Sequence, residues 1–345
     1  MENETYLGNQ PTHGYSAAQV TRYLQYIGFL KTPTLTYEDL AKLVLKHTET
    51  FPYGNLSYVY YHQTQHPAEY PTDPLDPYST KGSSLHPQAI YRKFMDEKRD
   101  GSCFEHGVFL ANILGQLGFR HYGVGGKTVI NFAFDSNKSQ AVMTEIRHYV
   151  LVVLLGNEKF LVDVGFGRFG IFAPLQLPSE ESLVGPRVPI PGGVQLQIVR
   201  QHPMGAIDPT LPFPPLYLVR ARVPKCHFTK DKTGEVGWMP LYFFTNAPLF
   251  PRDIETIHFA VTHNTAIKYN QLILLRKRIT SPTPGVLMLR DDQLKFYADD
   301  GSITHSILST EAKRRNAILH LFGVHLPAKD QEHLPTSNNQ LRTRL

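Results

Sequence analysis

The sequence predicts an α+β fold in successive parts. These are an N-terminal helical bundle over 1–120, a central antiparallel β-barrel or sheet over 121–250, a C-terminal α/β lid over 251–327 and a flexible tail over 328–345. Three observations lead there. Apolar residues recur at helical spacing between about 15 and 120, fall into short β-branched and aromatic runs from about Tyr122, and return to a helical pattern only after several further short runs beyond Pro251. At 345 residues the chain is also too long for one simple core.

Within the helical part, the clearest element begins at Cys103. Ser102 and Glu105 have the Ser-x-x-Glu spacing of a capping box, and Phe104, Val108, Leu110, Ala111, Ile113, Leu114 and Leu117 form a stripe that buries one side. Gly118 supplies the stop. The Pro-dense stretch 66–77 interrupts this half as a surface loop. In the β part, 124–134, 195–200 and a hairpin over 148–164 read as strands, while the Pro/Gly-rich segments 178–193 and 203–215 are too long for turns and read as insertions or lids. Further on, 254–260, 271–276, 286–290 and 293–297 read as strands and 310–322 as a helix.

A thiol at the first helical position is well placed for chemistry. Unpaired backbone N–H groups and the positive end of the macrodipole stabilise a thiolate there. The second cysteine, Cys226, lies in a Pro-rich, basic stretch without a cap and reads as structural. What Cys103 needs is a base and a group to orient it.

The hairpin provides both. Two apolar runs are joined by Gly156-Asn157, and with those as the loop residues Leu155 faces Glu158, Val150 faces Asp163 and His148 faces Gly165. His148 and Asp163 then become diagonal neighbours on one face of the sheet. An aspartate against an imidazole fixes its tautomer and leaves the other ring nitrogen to take a proton from a thiol. Together these residues make a cysteine-protease-like Cys-His-Asp core in the order Cys103, His148, Asp163.

These residues resemble the arylamine N-acetyltransferase family, in which an Arg-Gly-Gly-x-Cys-x-Glu segment carries the nucleophile, a His opens a later strand, and a Leu-Val-Asp-Val-Gly-Phe-Gly segment follows. Here they are 99–105, His148 and 161–167, with Asp163 fifteen residues after His148. The segments 23–28, 51–56, 117–119 and 243–257 fit the same family. Departures are Asp100 for the first Gly of the pair, Ser102 for a bulky residue, Gly54 for an acidic one and Gly107 for Asn. Asp100 puts a carboxyl group near the thiol, where a negative charge opposes the dipole.

The resemblance implies ping-pong transfer of an acyl group from acetyl-CoA or malonyl-CoA, the latter as in fungal-type relatives, through an acyl-cysteine to the nitrogen of an arylamine or arylhydrazine. No tightly bound cofactor is implied. It makes Cys103, His148 and Asp163 the catalytic residues and Phe104 and Phe166 the apolar walls for an aromatic acceptor. Gly165, Gly167 and Arg168 form a small-residue turn that a phosphate or pantetheine would approach. For a malonyl carboxylate the nearby cations are Arg147, Arg168 and Lys127.

Composition narrows the alternatives. Two cysteines give no disulfide framework and no paired Cys-x-x-Cys metal site, which suits a cytoplasmic enzyme with a reactive thiol. A net charge of +5 without Lys/Arg blocks excludes an obvious nucleic-acid surface, and the apolar run 149–155 is far too short to span a membrane. A papain- or transglutaminase-like hydrolase has the same Cys-His-Asp order, and a catalytically silent binding module is the remaining alternative. Xenobiotic detoxification is the role the resemblance suggests.

Overall fold

A computed structural model of the chain describes residues 14–61, 83–133, 141–179, 181–201, 214–223, 237–264 and 266–326. The helical part comprises α1 (Ala17–Tyr26), α2 (Tyr37–Thr50), the two-residue strand β1 (Tyr53–Gly54), α3 (Leu56–Tyr61), α4 (Pro87–Tyr91) with a wide turn at Arg92–Asp96, and α5 (Cys103–Gln116). Ser16, Thr36 and Ser102 each turn a side-chain oxygen onto a first-turn N–H, so the starts of α1, α2 and α5 follow from local sequence.

The β part comprises β2 (Arg120–Ile130), β3 (Val142–Leu155), β4 (Glu158–Val162), β5 (Leu175–Gln176), β6 (Val188–Ile190), β7 (Val194–Gln201), β8 (Leu216–Val223) and β9 (Gly237–Pro248). They form one antiparallel sheet in the order β5-β4-β3-β2-β9-β8-β7-β6. The sheet curls until β5 meets β7, and Gly185 N–H donates to the Ile198 carbonyl across the seam, which nearly closes a barrel. Val150, Val152, Leu161, Ile198, Val219 and Tyr242 are among the side chains that fill its interior. Segment 178–193 is therefore not wholly a loop, because β6 lies within it and pairs with β7.

After β9 comes α6 (Pro251–His263), then β10 (Leu274–Ile279), β11 (Gly285–Arg290), β12 (Gln293–Ala298), β13 (Ile303–Ile307) and α7 (Glu311–Ala317), which runs into a wide turn at Ile318–Phe322. The expectation of a strand at 254–260 is wrong. Those residues are helical, with Pro251 at the first turn and the Asp253 carboxylate accepting from Phe250 N–H at 2.9 Å. Ile254 and Val261, seven apart, face the same core as α5. β10 to β13 form a second sheet that β1 joins at its edge, with Tyr53 paired to Arg276. The expectations for 66–77, 203–213, Cys226 and 328–345 fall outside the described residues.

Candidate active site

The N-terminus of α5 is built from polar groups that are almost wholly buried. Ser102 N–H donates to Glu105 Oε2 at 2.8 Å, and Glu105 N–H reaches Ser102 Oγ at 3.4 Å, completing the expected capping box. Glu105 Oε1 also accepts from Lys93 Nζ at 2.5 Å. Burial favours the neutral acid, but the Lys93 ammonium and the Ser102 N–H outweigh it and hold the Glu105 carboxyl below its usual range. The cap is thus a fixed charge pair, and it locks the turn that presents Cys103. Only 8% of Cys103 is exposed.

The hairpin has the expected register. Gly156 takes a positive φ of 58°, Leu155 pairs with Glu158, and Leu151 pairs with Val162. β4 ends one residue before Asp163, whose carboxylate turns back to His148, with Nε2 to Oδ2 at 2.8 Å. On its other edge β3 carries a bulge, because Gly126 pairs with His148 and Lys127 with Ile146, leaving Arg147 as the extra residue. A bulge re-aims its neighbours. The Arg147 carbonyl lies 4.0 Å from Cys103 Sγ, while its guanidinium turns to Glu145 at 2.6 Å.

Nε2 of His148 is used by Asp163, so Nδ1 is the nitrogen left to face a partner, and Cys103, whose Sγ lies against the carbonyl of the preceding residue Arg147, is one of the groups that act on the ring. Burial opposes a charged imidazole, yet the Asp163 carboxylate, by charge and hydrogen bond, and then Cys103 push His148 up to about 10. Asp163 is fully buried as well. Against that burial, the His148 ring, the Tyr242 hydroxyl at 2.8 Å and the Gly165 N–H at 3.1 Å hold it below the usual carboxylate range. The arrangement can store a proton on the imidazole and keep it beside a sulfur.

Gly165 has a packing reason to be glycine. A Cβ there would lie 2.5 Å from Cys103 Cα, so only a bare Cα lets the 163–167 turn meet the start of α5. Gly167 has open space around its Cα. Arg168 lies over the rings of Phe169 and Tyr297, each at 4.9 Å. Of the two phenylalanines, Phe166 sits edge-on to the His148 ring at 5.1 Å. Phe104 packs inside the core, parallel to Tyr149 at 6.2 Å and edge-on to His258 at 5.4 Å.

Asp100 does not turn toward the thiol. Its Oδ2 accepts from Leu56 N–H at 2.9 Å, at the start of α3, and occupies space that a side chain at residue 54 would need, since a Cβ on Gly54 would lie 2.5 Å from it. The two departures from the family pattern therefore fit each other. Burial raises the Asp100 carboxyl from its ordinary value, with Lys93 and Arg99 opposing the rise.

Two further residues of the site were not foreseen from sequence. Tyr242 comes from β9, 79 residues from Asp163, and Arg276 comes from β10, 110 residues from the Phe166 carbonyl that accepts its Nη1 at 2.8 Å. No local pattern marks either one. For Arg276 the available signal was the expected strand 271–276, and for Tyr242 only its place within the 121–250 β part.

A family model described as N-acetyltransferase matches residues 36–187, which contain Cys103, His148 and Asp163. Over an alignment of 366 positions, gaps included, the chain is 24% identical to the N-malonyltransferase FDB2 of Gibberella moniliformis, covering 97% of each chain. It is 25% identical to the arylamine N-acetyltransferase of Mycolicibacterium smegmatis over 88% of this chain and 91% of that one. The fold matches the structure of the arylamine N-acetyltransferase from Mycobacterium abscessus with a TM-score of 0.70 at 21% identity, covering 95% of this chain and 97% of the other.

Proposed function

We propose that the chain is a member of the arylamine N-acetyltransferase family and that it moves an acyl group from acetyl-CoA or malonyl-CoA to the nitrogen of an arylamine or arylhydrazine, by way of an acyl-Cys103 intermediate. The observation that carries this reading is the buried imidazole of His148, bonded through Nε2 to Asp163 and neighbouring the Cys103 thiol.

The chemistry follows from that placement. The Cys103 thiolate attacks the thioester carbonyl, a new C–S bond forms, and the bond to coenzyme A breaks; His148 returns its proton to the departing thiolate. One thioester replaces another, so this half-reaction is nearly balanced. The amine nitrogen then attacks acyl-Cys103, His148 accepts the proton, and the sulfur leaves with an amide formed. Asp163 keeps the ring oriented throughout and offsets its charge. Arylamines suit this scheme because their nitrogen is uncharged at neutral pH and keeps its lone pair, unlike an alkyl ammonium.

On the same reading, Phe166 beside His148 and Phe104 beside Cys103 are the apolar walls for the acceptor ring, and Gly165, Gly167 and Arg168 line the approach of coenzyme A. The 251–327 segment acts as the lid over a cysteine-protease-like corner. The test is steady-state kinetics with donor and acceptor varied together. Parallel double-reciprocal lines are expected, together with loss of transfer in Cys103→Ala. Intersecting lines, or turnover surviving in that variant, would sink the proposal.

A further inference from the structure

We infer that Arg276 recognises a carboxylate on the acyl group, so that the preferred donor is a dicarboxylic acyl-coenzyme A of malonyl type rather than acetyl-coenzyme A. This rests on the acyl-transfer reading and deepens it. Arg276 leaves β10 where that strand pairs with Tyr53, is 97% buried by its 3% exposure, and reaches the 163–172 turn. Nη1 donates to the Phe166 carbonyl at 2.8 Å, and the guanidinium plane lies over Phe172 at 4.2 Å. A Cβ on Gly170 would lie 2.1 Å from Nη1, so that glycine leaves the room the guanidinium fills.

Two of its donors are unused. Among the described residues, Nε and Nη2 of Arg276 find no hydrogen-bond partner although both atoms are buried. An unpartnered guanidinium N–H is costly in such a place, and the ligand that satisfies a planar fork best is a carboxylate. The group also sits at the reacting corner. Phe166, which it grips, follows Gly165, whose Cα packs on Cys103 Cα, and the Asp163 carboxylate is one of its electrostatic neighbours.

Burial pulls the guanidinium down to about 9, with Asp163 and Tyr53 acting the other way, so it keeps its charge at neutral pH. Two of the other cations considered from sequence are engaged elsewhere. Arg147 is paired with Glu145 at 2.6 Å, and Arg168 lies over Phe169 and Tyr297 at 4.9 Å.

The test compares acylation rate constants, read as coenzyme A release in a single turnover, for malonyl-, propionyl- and acetyl-coenzyme A. Propionyl has the same three-carbon chain as malonyl but ends in a methyl group where malonyl carries the carboxylate. Wild type is expected to favour malonyl over propionyl by about 30-fold or more, as for a charge-assisted pair made to an otherwise unpartnered buried donor. In Arg276→Gln that ratio is expected to fall about 30-fold, and Arg276→Lys is expected to recover part of it. A wild-type ratio of one or less overturns the inference even if the variants do not fold, and so does a Gln variant that slows all three donors equally, which is what a purely structural arginine predicts. If no donor acylates wild type, the acyl-transfer reading itself fails, a result distinct from the loss of donor preference.

Discussion

Two carboxyl groups are buried in the same corner, one on the strand side of Cys103 and one on the loop that leads into its helix, and their surroundings drive them in opposite directions. Asp163 is held below its ordinary value because the His148 ring, the Tyr242 hydroxyl and the Gly165 N–H all favour the charged form. Asp100 is raised, since burial outweighs Lys93, Arg99 and the hydrogen bond from Leu56 N–H. Burial alone therefore does not decide the state of a carboxylate here. The number and charge of its donors do, and only the first of the two is wired to the imidazole beside the thiol.

The most direct way to break this contrast is to neutralise the first acid. Asp163→Asn preserves shape but offers the ring a donor or acceptor with no charge, and acylation is expected to slow by about 10³- to 10⁴-fold in a single-turnover assay. A loss of under tenfold would mean that the carboxylate is not orienting the base.

The pH dependence of stability sharpens the same point. His148 is raised from 6.5 to about 10, so its contribution is fully present below pH 6.5 and is lost as pH rises through 10. Asp163 is lowered from 3.8, so its contribution is present above pH 3.8 and is lost as pH falls through its folded value. The pair is at full effect between these two limits. The melting temperature of wild type should therefore exceed that of His148→Gln most near pH 6, with the gap closing by several degrees toward pH 10. A gap that widens over that interval contradicts the ion pair.

Smaller effects come next. Tyr242→Phe removes one of the hydrogen bonds to Asp163 Oδ2 and is expected to slow acylation about three- to tenfold, near 1 kcal/mol. Asp100→Asn keeps an acceptor for Leu56 N–H and removes a carboxyl group that is not bonded to the imidazole. Its acylation rate should stay within about threefold of wild type, and a larger change would erase the distinction between the two acids.

Most of what forms the thiol side of this corner was legible in the sequence. The Ser102/Glu105 spacing marked the start of α5, and Gly156-Asn157 fixed a register that brings His148 and Asp163 to one face. These signals are local, with donor and acceptor or turn and strand lying within a few residues. The 254–260 segment reads as a strand from Ile254, Ile257 and Phe259 by type, whereas Pro251 and Asp253 are the helix-start signals that decide it. Tyr242, Arg276 and the orientation of Asp100 depend on strand order and on which backbone N–H lies nearest. Such long-range placements leave no periodic trace.

The account's central claim, a Cys103 thiol activated by His148 and Asp163 for acyl transfer, is tested most directly by intact mass spectrometry of the full chain mixed with acyl-coenzyme A. Wild type is predicted to gain one acyl group that an arylhydrazine then removes, while Cys103→Ala gains none. An unchanged mass with every acyl donor, or an equal gain in the alanine variant, would contradict it.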